Sequence, residues 1–146
     1  SEDGKGVRSI ASVAVLLQIS LLYWFAALPK THPSWVADNS AINIALHLDY
    51  LVKPFGIAFR EMFTDQLPLL TWLVFLWEFW GPFFLWFPFD KGQVRTFSLI
   101  LFAGMHIGFE LCFAIGLFPA YCLVILTVLL PGWFWEKLRN RNLPLT

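Results

Sequence analysis

The 146-residue chain is 58% hydrophobic and 18% aromatic, and only 14% of its residues are charged. A soluble domain carries roughly 25% charged residues and a smaller apolar share, so this composition excludes a soluble globular protein and indicates an integral membrane protein. The formal net charge is zero, which argues against nucleic acid as a partner.

Four segments are apolar and long enough, or nearly so, to cross a bilayer, which takes about 20 mostly apolar residues. The predicted spans are residues 10–28, 67–88, 96–117 and 118–134. A short Gly-Leu-Phe-Pro corner joins the last two, which should form a tight antiparallel pair. We therefore predict an all-α fold, with residues 1–146 forming a single membrane domain, a polytopic bundle of about four transmembrane helices.

The first span has an alternative interpretation as a secretory signal peptide, because Lys5 and Arg8 precede its apolar stretch. Against this alternative, Tyr23, Trp24 and Phe25 follow directly, and no small-residue cleavage pattern is present. The sequence therefore favours a retained transmembrane helix.

The segment between the first two spans, residues 31–66, is too polar to cross a membrane. Within it, Asn43, His47 and Tyr50 fall on one face of a predicted helix whose opposite face is apolar. Pro54 ends this helix and can open the next one. We predict amphipathic helices that lie on the outer surface and cap the bundle.

Lysine and arginine are unevenly divided between the two sides of the predicted bundle. Seven lie on the side of the termini and three on the other side; they are Lys5, Arg8, Lys91, Arg95, Lys137, Arg139 and Arg141 against Lys30, Lys53 and Arg60. Because positively charged loops stay in the cytoplasm, we expect both termini there, and we expect the protein in a bacterial inner membrane.

Two ionisable residues lie inside predicted spans at the same depth. Glu78 lies ten residues before Pro88, and His106 lies ten residues after Thr96, so both are about 15 Å from the loop that joins their helices. A charged group inside a membrane costs about 2.5–3.5 kcal/mol on insertion scales, so we predict a Glu78–His106 hydrogen bond. The simplest role for this pair is structural, fixing the register of two helices.

A polar pocket is also possible near the outer ends of the first and third spans. Glu110 follows His106 by four residues and shares its helix face, while Lys30 closes the first span. If these helices adjoin, Lys30, His32, His106 and Glu110 line one pocket, with Lys30 as a candidate base and His106 and Glu110 in support. The alternative role for Lys30 is an interfacial anchor that reaches the lipid headgroups.

Histidine and cysteine spacing predicts no metal site. His32, His47 and His106 lack the paired spacing of metal ligands, and Cys112 and Cys122 lie in apolar runs without a Cys-x-x-Cys motif. A single intramembrane histidine can ligate haem or a chlorophyll magnesium, but the carboxyl group at equal depth competes for it. The cofactor therefore stays unknown at this point.

A series of short motifs follows in order along the chain. They are Tyr23 to Trp35 with Lys30 inside, Ala41, Leu48-Asp49-Tyr50, Leu70-Thr71-Trp72, Glu78 with Pro82, His106-Ile107-Gly108, Gly116-Leu117-Phe118-Pro119, and Leu130-Pro131 through Trp135. In order and spacing this series, over residues 15–138, resembles the horizontally transferred transmembrane (HTTM) domain. That domain is the membrane part of vitamin K-dependent gamma-carboxylases and of many bacterial proteins.

The resemblance implies a role for Lys30. In the carboxylases a lysine ahead of a tryptophan is the proposed base that deprotonates vitamin K hydroquinone, and Lys30 lies five residues before Trp35. The family pattern also includes further helices before this point, with another functional histidine, and a large lumenal region that holds the substrate. We therefore expect either a fragment of a longer product or a reduced relative with another task.

Two functions follow as hypotheses. The first is an accessory subunit whose HTTM-like bundle packs against partner helices, lipids, quinones or pigments in a larger membrane assembly of respiratory or photosynthetic type. The second is a carboxylase-like or quinol-dependent oxygenase-like membrane enzyme, or a fragment of one, with Lys30 as base, His106 and Glu110 in support and a vitamin K-like quinone as cofactor. Transport is a weaker third, because four spans lack the inverted repeats usual in transporters.

Overall fold

The computed structural model describes residues 10–87 and 92–141. Within these ranges the chain is helical, and its extended pairing is limited to an isolated antiparallel bridge between Val52 and Phe113. The prediction of an all-α membrane bundle is confirmed.

Among the residues that the structure describes, three helices are long and apolar enough to cross a membrane. They are α1 (Ile10–Ala27), α5 (Leu67–Leu85, preceded by a 3-10 turn at Thr64–Gln66) and α6 (Gln93–Cys112). In each helix, no more than 33% of the apolar 18-residue stretch that could span the membrane is buried inside the bundle. Most of their surface is therefore left for lipid or for other helices.

The third span lies earlier in the chain than predicted, at both of its ends. It begins after Gly92, whose φ of 85° is a conformation that glycine adopts readily. It ends before Phe113, where the backbone turns extended and the Ala114 amide donates to the Leu51 carbonyl at 2.7 Å. The pairing with the outer segment thus takes residues 113–117 out of the helix.

The fourth predicted span, residues 118–134, is not one straight helix. The helix α7 (Phe118–Val128) has 11 residues, and its axis turns by 87° into α8 (Gly132–Arg141). At about 1.5 Å per residue, α7 is about 16 Å long, short of the roughly 30 Å of a hydrocarbon core. Pro131 lies at the break, where its missing N–H prevents a continuous helical ladder. The bundle therefore has three candidate spans, or four if the bent pair crosses together.

The helix that was predicted to carry Asn43, His47 and Tyr50 ends at Ala45, before His47 and Tyr50, and among the described residues the outer segment forms three short helices. They are α2 (Pro33–Val36), α3 (Ala41–Ala45) and α4 (Pro54–Met62). The first two pack on α5, and α4 packs on α6. A Cβ atom built on Gly56 of α4 would lie 2.6 Å from the Cys112 carbonyl oxygen, so glycine permits this close crossing over the end of α6.

Two apolar clusters hold the bundle together. The larger joins α1, α5, α6 and α7, and its buried members are Leu16, Ile19, Tyr23, Leu85, Leu99, Phe102, Leu126 and Leu129. The Phe102 ring is fully buried and stacks on the Tyr23 ring, with 3.9 Å between centroids. The smaller cluster ties the outer layer to α5 and α6 through Ile42, Leu46, Leu67, Cys112 and Phe113.

Candidate functional site

An ion pair between Lys30 and Glu78 lies where the end of α1 meets the middle of α5. The Lys30 ammonium donates to the Glu78 carboxylate, and Glu78 is only 5% exposed. After α1 the chain turns, with the Lys30 amide donating to the Ala27 carbonyl at 3.0 Å, and this turn directs the lysine towards α5. The buried carboxylate thus receives a countercharge from the neighbouring loop, as a buried ion requires.

The ammonium of Lys30 also lies over an aromatic ring. Its Nζ atom is 4.1 Å from the centroid of Trp35 in α2, a cation–π distance. Trp35 is held in place because His32 caps α2, accepting from the Ser34 amide at 3.3 Å. The α1–α2 corner and α5 together therefore enclose the charged end of Lys30.

A second buried polar contact joins α1 to α6. The Tyr23 hydroxyl and His106 Nε2 are 2.9 Å apart, and the two residues are 2% and 1% exposed. Within the described residues, His106 Nδ1 is buried without a hydrogen-bond partner. The imidazole is surrounded by rings, with Phe109 and Phe118 packed edge-on at centroid distances of 6.1 and 5.8 Å.

The predicted Glu78–His106 hydrogen bond is wrong, because each group binds another partner. Glu78 binds Lys30, and the Nε2 atom of His106 contacts Tyr23. Spacing along a helix predicts depth only. The direction in which each side chain points around its helix axis depends on packing, and here both side chains point towards α1 and its following loop.

The predicted pocket of Lys30, His32, His106 and Glu110 is likewise not assembled by the contacts that the structure shows. Glu110 binds Lys53 instead, with 2.9 Å between Nζ and Oε1, and Lys53 Nζ also donates to the Glu110 carbonyl at 2.5 Å. The reason is that α4 crosses the end of α6, which brings Lys53 to Glu110. This pair is far more exposed than the first, at 35% and 44% of the side chains.

Two residues of these contacts were missed in the sequence, Tyr23 and Lys53. Tyr23 shares a helix face with Leu16, Ile19 and Ala27, at spacings of three or four residues, and this face is the buried one. A hydroxyl on a buried apolar face requires a hydrogen-bond partner. That pattern is the signal that could have identified Tyr23, whereas nothing local indicates the partner of Lys53.

The part of the chain that the structure describes contains no group of three or more histidine, cysteine or acidic side chains that could hold a metal ion. Cys112 and Cys122 are buried free thiols. The contacts described above, the Lys30–Glu78 and Lys53–Glu110 ion pairs and the Tyr23–His106 contact, can neutralise charge and fix the positions of the helices.

Comparison with known proteins identifies a family. A family model described as the HTTM domain matches residues 5–133, which is most of the chain. No curated protein and no solved structure matches significantly. The match covers the segments that carry Tyr23, Lys30, Glu78 and His106, and it confirms the resemblance inferred from the short motifs.

Proposed function

This chain belongs to the HTTM-domain family and is an integral membrane helix-bundle protein, and from that premise we propose that it serves as an accessory subunit of a larger membrane assembly. In this role the bundle packs against partner helices, lipids, quinones or pigments in a respiratory or photosynthetic type of complex, and it catalyses no reaction itself. The observation that carries the proposal is an exposed, largely aromatic surface on α5.

This surface, the α5 stripe, consists of Leu69, Trp72, Trp80 and Phe83. Their spacing of three, eight and three residues puts them on one helix face, over about 21 Å of the helix. They are 57%, 45%, 53% and 49% exposed. Aromatic side chains offer large contact areas and are enriched at protein interfaces. The stripe therefore supports contact with a partner along much of the membrane thickness.

A photocrosslinking experiment tests the accessory role. We expect a photoreactive amino acid at Leu69 or Trp80, in the native membrane, to yield an adduct of defined mass with one membrane protein. Val124 on α7 is 65% exposed and serves as the matched control, because a probe there should meet only lipid. Absence of adducts at the α5 stripe, together with a purified chain that stays monomeric and alone, would contradict the proposal.

The orientation and location of the bundle form part of the same proposal. We place both termini in the cytoplasm, of a bacterial inner membrane. Charge supports this, since Lys137 and Arg139 lie on α8, whereas Lys30 and Lys53 on the opposite side are neutralised by ion pairs. Reporter proteins that are active only in the cytoplasm should be active at both ends of the chain, and activity at only one end would refute the arrangement.

A second candidate function, the quinol-dependent enzyme, is favoured by the contact of Lys30 with Trp35. A lysine ahead of a tryptophan is the proposed base of the carboxylases, which the chain resembles. In this candidate Glu78 is the direct partner of the base, while Glu110 and His106 have other partners.

Turnover of a reduced quinone by the purified chain would support the enzyme. Lys30→Ala should then abolish turnover and Lys53→Ala should leave it intact, because Lys53 pairs with Glu110 on α6 rather than with Glu78. Turnover that survives Lys30→Ala would exclude Lys30 as the base.

A further inference from the structure

An apolar groove of about 630 Å³ lies between α5 and α6, beneath the outer helices. Its lining includes Val74 and Trp77 from α5, Gly104 and Gly108 from α6, and Phe59 from α4. No lining residue carries a charge. The volume is within the range of about 300–1,000 Å³ that is typical of ligand sites, which are also mainly apolar.

The groove runs along the membrane-spanning part of the bundle. Its lining on α6 extends from Ile100 to Cys112, which is about 18 Å of helix. A smaller groove of about 230 Å³ shares Phe59 and Leu70 with it and extends to Gln66 at the start of α5. The two grooves therefore lie next to each other along α5, and the smaller one extends towards the start of this helix.

The size and chemistry of the groove decide between its possible occupants. A straight spanning helix needs roughly 30 Å, but the groove extends over only about 18 Å of α6, and α4 crosses α6 at its Cys112 end. A polar molecule would bury most of its polar groups without hydrogen-bond partners, because the lining is almost entirely apolar. Among the described residues that line the groove, Trp77 has a buried indole N–H without a partner. A single flexible hydrocarbon chain can follow a short groove and needs no hydrogen-bond partner. The surrounding bilayer supplies such chains at high concentration.

We propose that this groove binds one acyl chain of a bilayer phospholipid. The chain enters from the side of α5 and α6, and its headgroup lies at the outer interface near Gln66, where the smaller groove ends. Leu69 of the α5 stripe lines the smaller groove, but the larger groove contains no residue of the stripe, so the inference does not depend on the accessory role. It gives the bundle a resident lipid that fills the space between two of its spans.

The first test fills the groove from within. A Cβ atom on Gly104 or Gly108 would meet nothing within 4 Å, so the double variant Gly104→Leu/Gly108→Leu should fold with its new side chains in the groove. Mass spectrometry of the purified chain should show one retained phospholipid in the wild type, reduced about tenfold or more in the variant. Ile107→Phe, at an exposed position of the same helix, should retain it.

A second test requires no filling variant. Phospholipids brominated along one acyl chain should quench the fluorescence of Trp77, measured as the difference between the wild type and Trp77→Phe. Three results would overturn the proposal: no Trp77 quenching, a retained prenyl quinone or pigment in place of the phospholipid, or a filling variant that loses a dimer while its phospholipid content stays unchanged.

Discussion

Replacing Lys30 with methionine should lower the free energy of unfolding by about 3–5 kcal/mol, the range measured when one partner of a buried ion pair is removed. The physical reason is that Glu78 stays behind in the middle of α5, only 5% exposed and without its countercharge. Reversible unfolding in detergent micelles or bicelles, followed by circular dichroism, measures the loss.

Removal of the other partner, in Glu78→Leu, should lower the free energy of unfolding by less. In Glu78→Leu the orphaned ammonium is that of Lys30, whose side chain is 17% exposed and can extend to the headgroups. The double variant Lys30→Met/Glu78→Leu should recover much of the stability, because no buried charge is left unpaired.

Lys53→Met is the matched control, because its ion pair with Glu110 is partly exposed and worth at most about 1 kcal/mol. Equal losses for Lys30→Met and Lys53→Met would show that burial of Glu78 is not the decisive factor. If the double variant Lys30→Met/Glu78→Leu folds normally, it also separates the structural role of Lys30 from any catalytic one. Its stability is then recovered, whereas any turnover that needs Lys30 as a base stays lost.

Truncation of Phe102 to alanine should destabilise the bundle by about 3 kcal/mol, the lower end of the range for phenylalanine in a core. Phe102 is fully buried, stacks on Tyr23 at 3.9 Å and contacts Trp77 at a centroid distance of 5.4 Å. Because lipid is as apolar as this core, the loss is mainly one of packing and not of transfer from water. Thermal unfolding in the same detergent measures it.

Phe97→Ala provides the control on the same helix, since Phe97 is 61% exposed and should change stability by about 0.5 kcal/mol or less. Gly81→Ala adds a coupling test, because the new Cβ would lie 2.6 Å from Cζ of Phe102. It should cost about 1–3 kcal/mol in the wild type and much less in Phe102→Ala. Additive effects of the two substitutions would contradict the close approach of α5 and α6.

The helix α5 contributes to the Lys30–Glu78 ion pair and to both proposed binding surfaces, on different faces. One face holds Glu78 against Lys30, a second contributes Trp77 to the acyl-chain groove, and a third forms the α5 stripe. A helix with 3.6 residues per turn can present three faces at once. The internal contacts of α5 therefore determine where its outward surfaces point, and loss of the Lys30–Glu78 pair should disturb both binding surfaces.

Much of the architecture was predictable from local sequence. The long apolar segments predicted the membrane bundle, and Pro54 predicted the start of α4. The break at Pro131 shows the limit of this approach, because an apolar run that looked like one span contains a turn of 87°. Hydropathy counts apolar residues in a window and does not detect a change of direction between them.

The sequence by itself determined the membrane environment of this protein, its all-α fold and its family. Only the tertiary structure decided that Glu78 binds Lys30, that His106 contacts Tyr23 and that Glu110 pairs with Lys53. The physical reason is that hydropathy and helical period are local properties of a segment. The partner of a buried polar group depends instead on how neighbouring helices rotate and approach one another, and close packing such as that of Gly81 on Phe102 sets this arrangement.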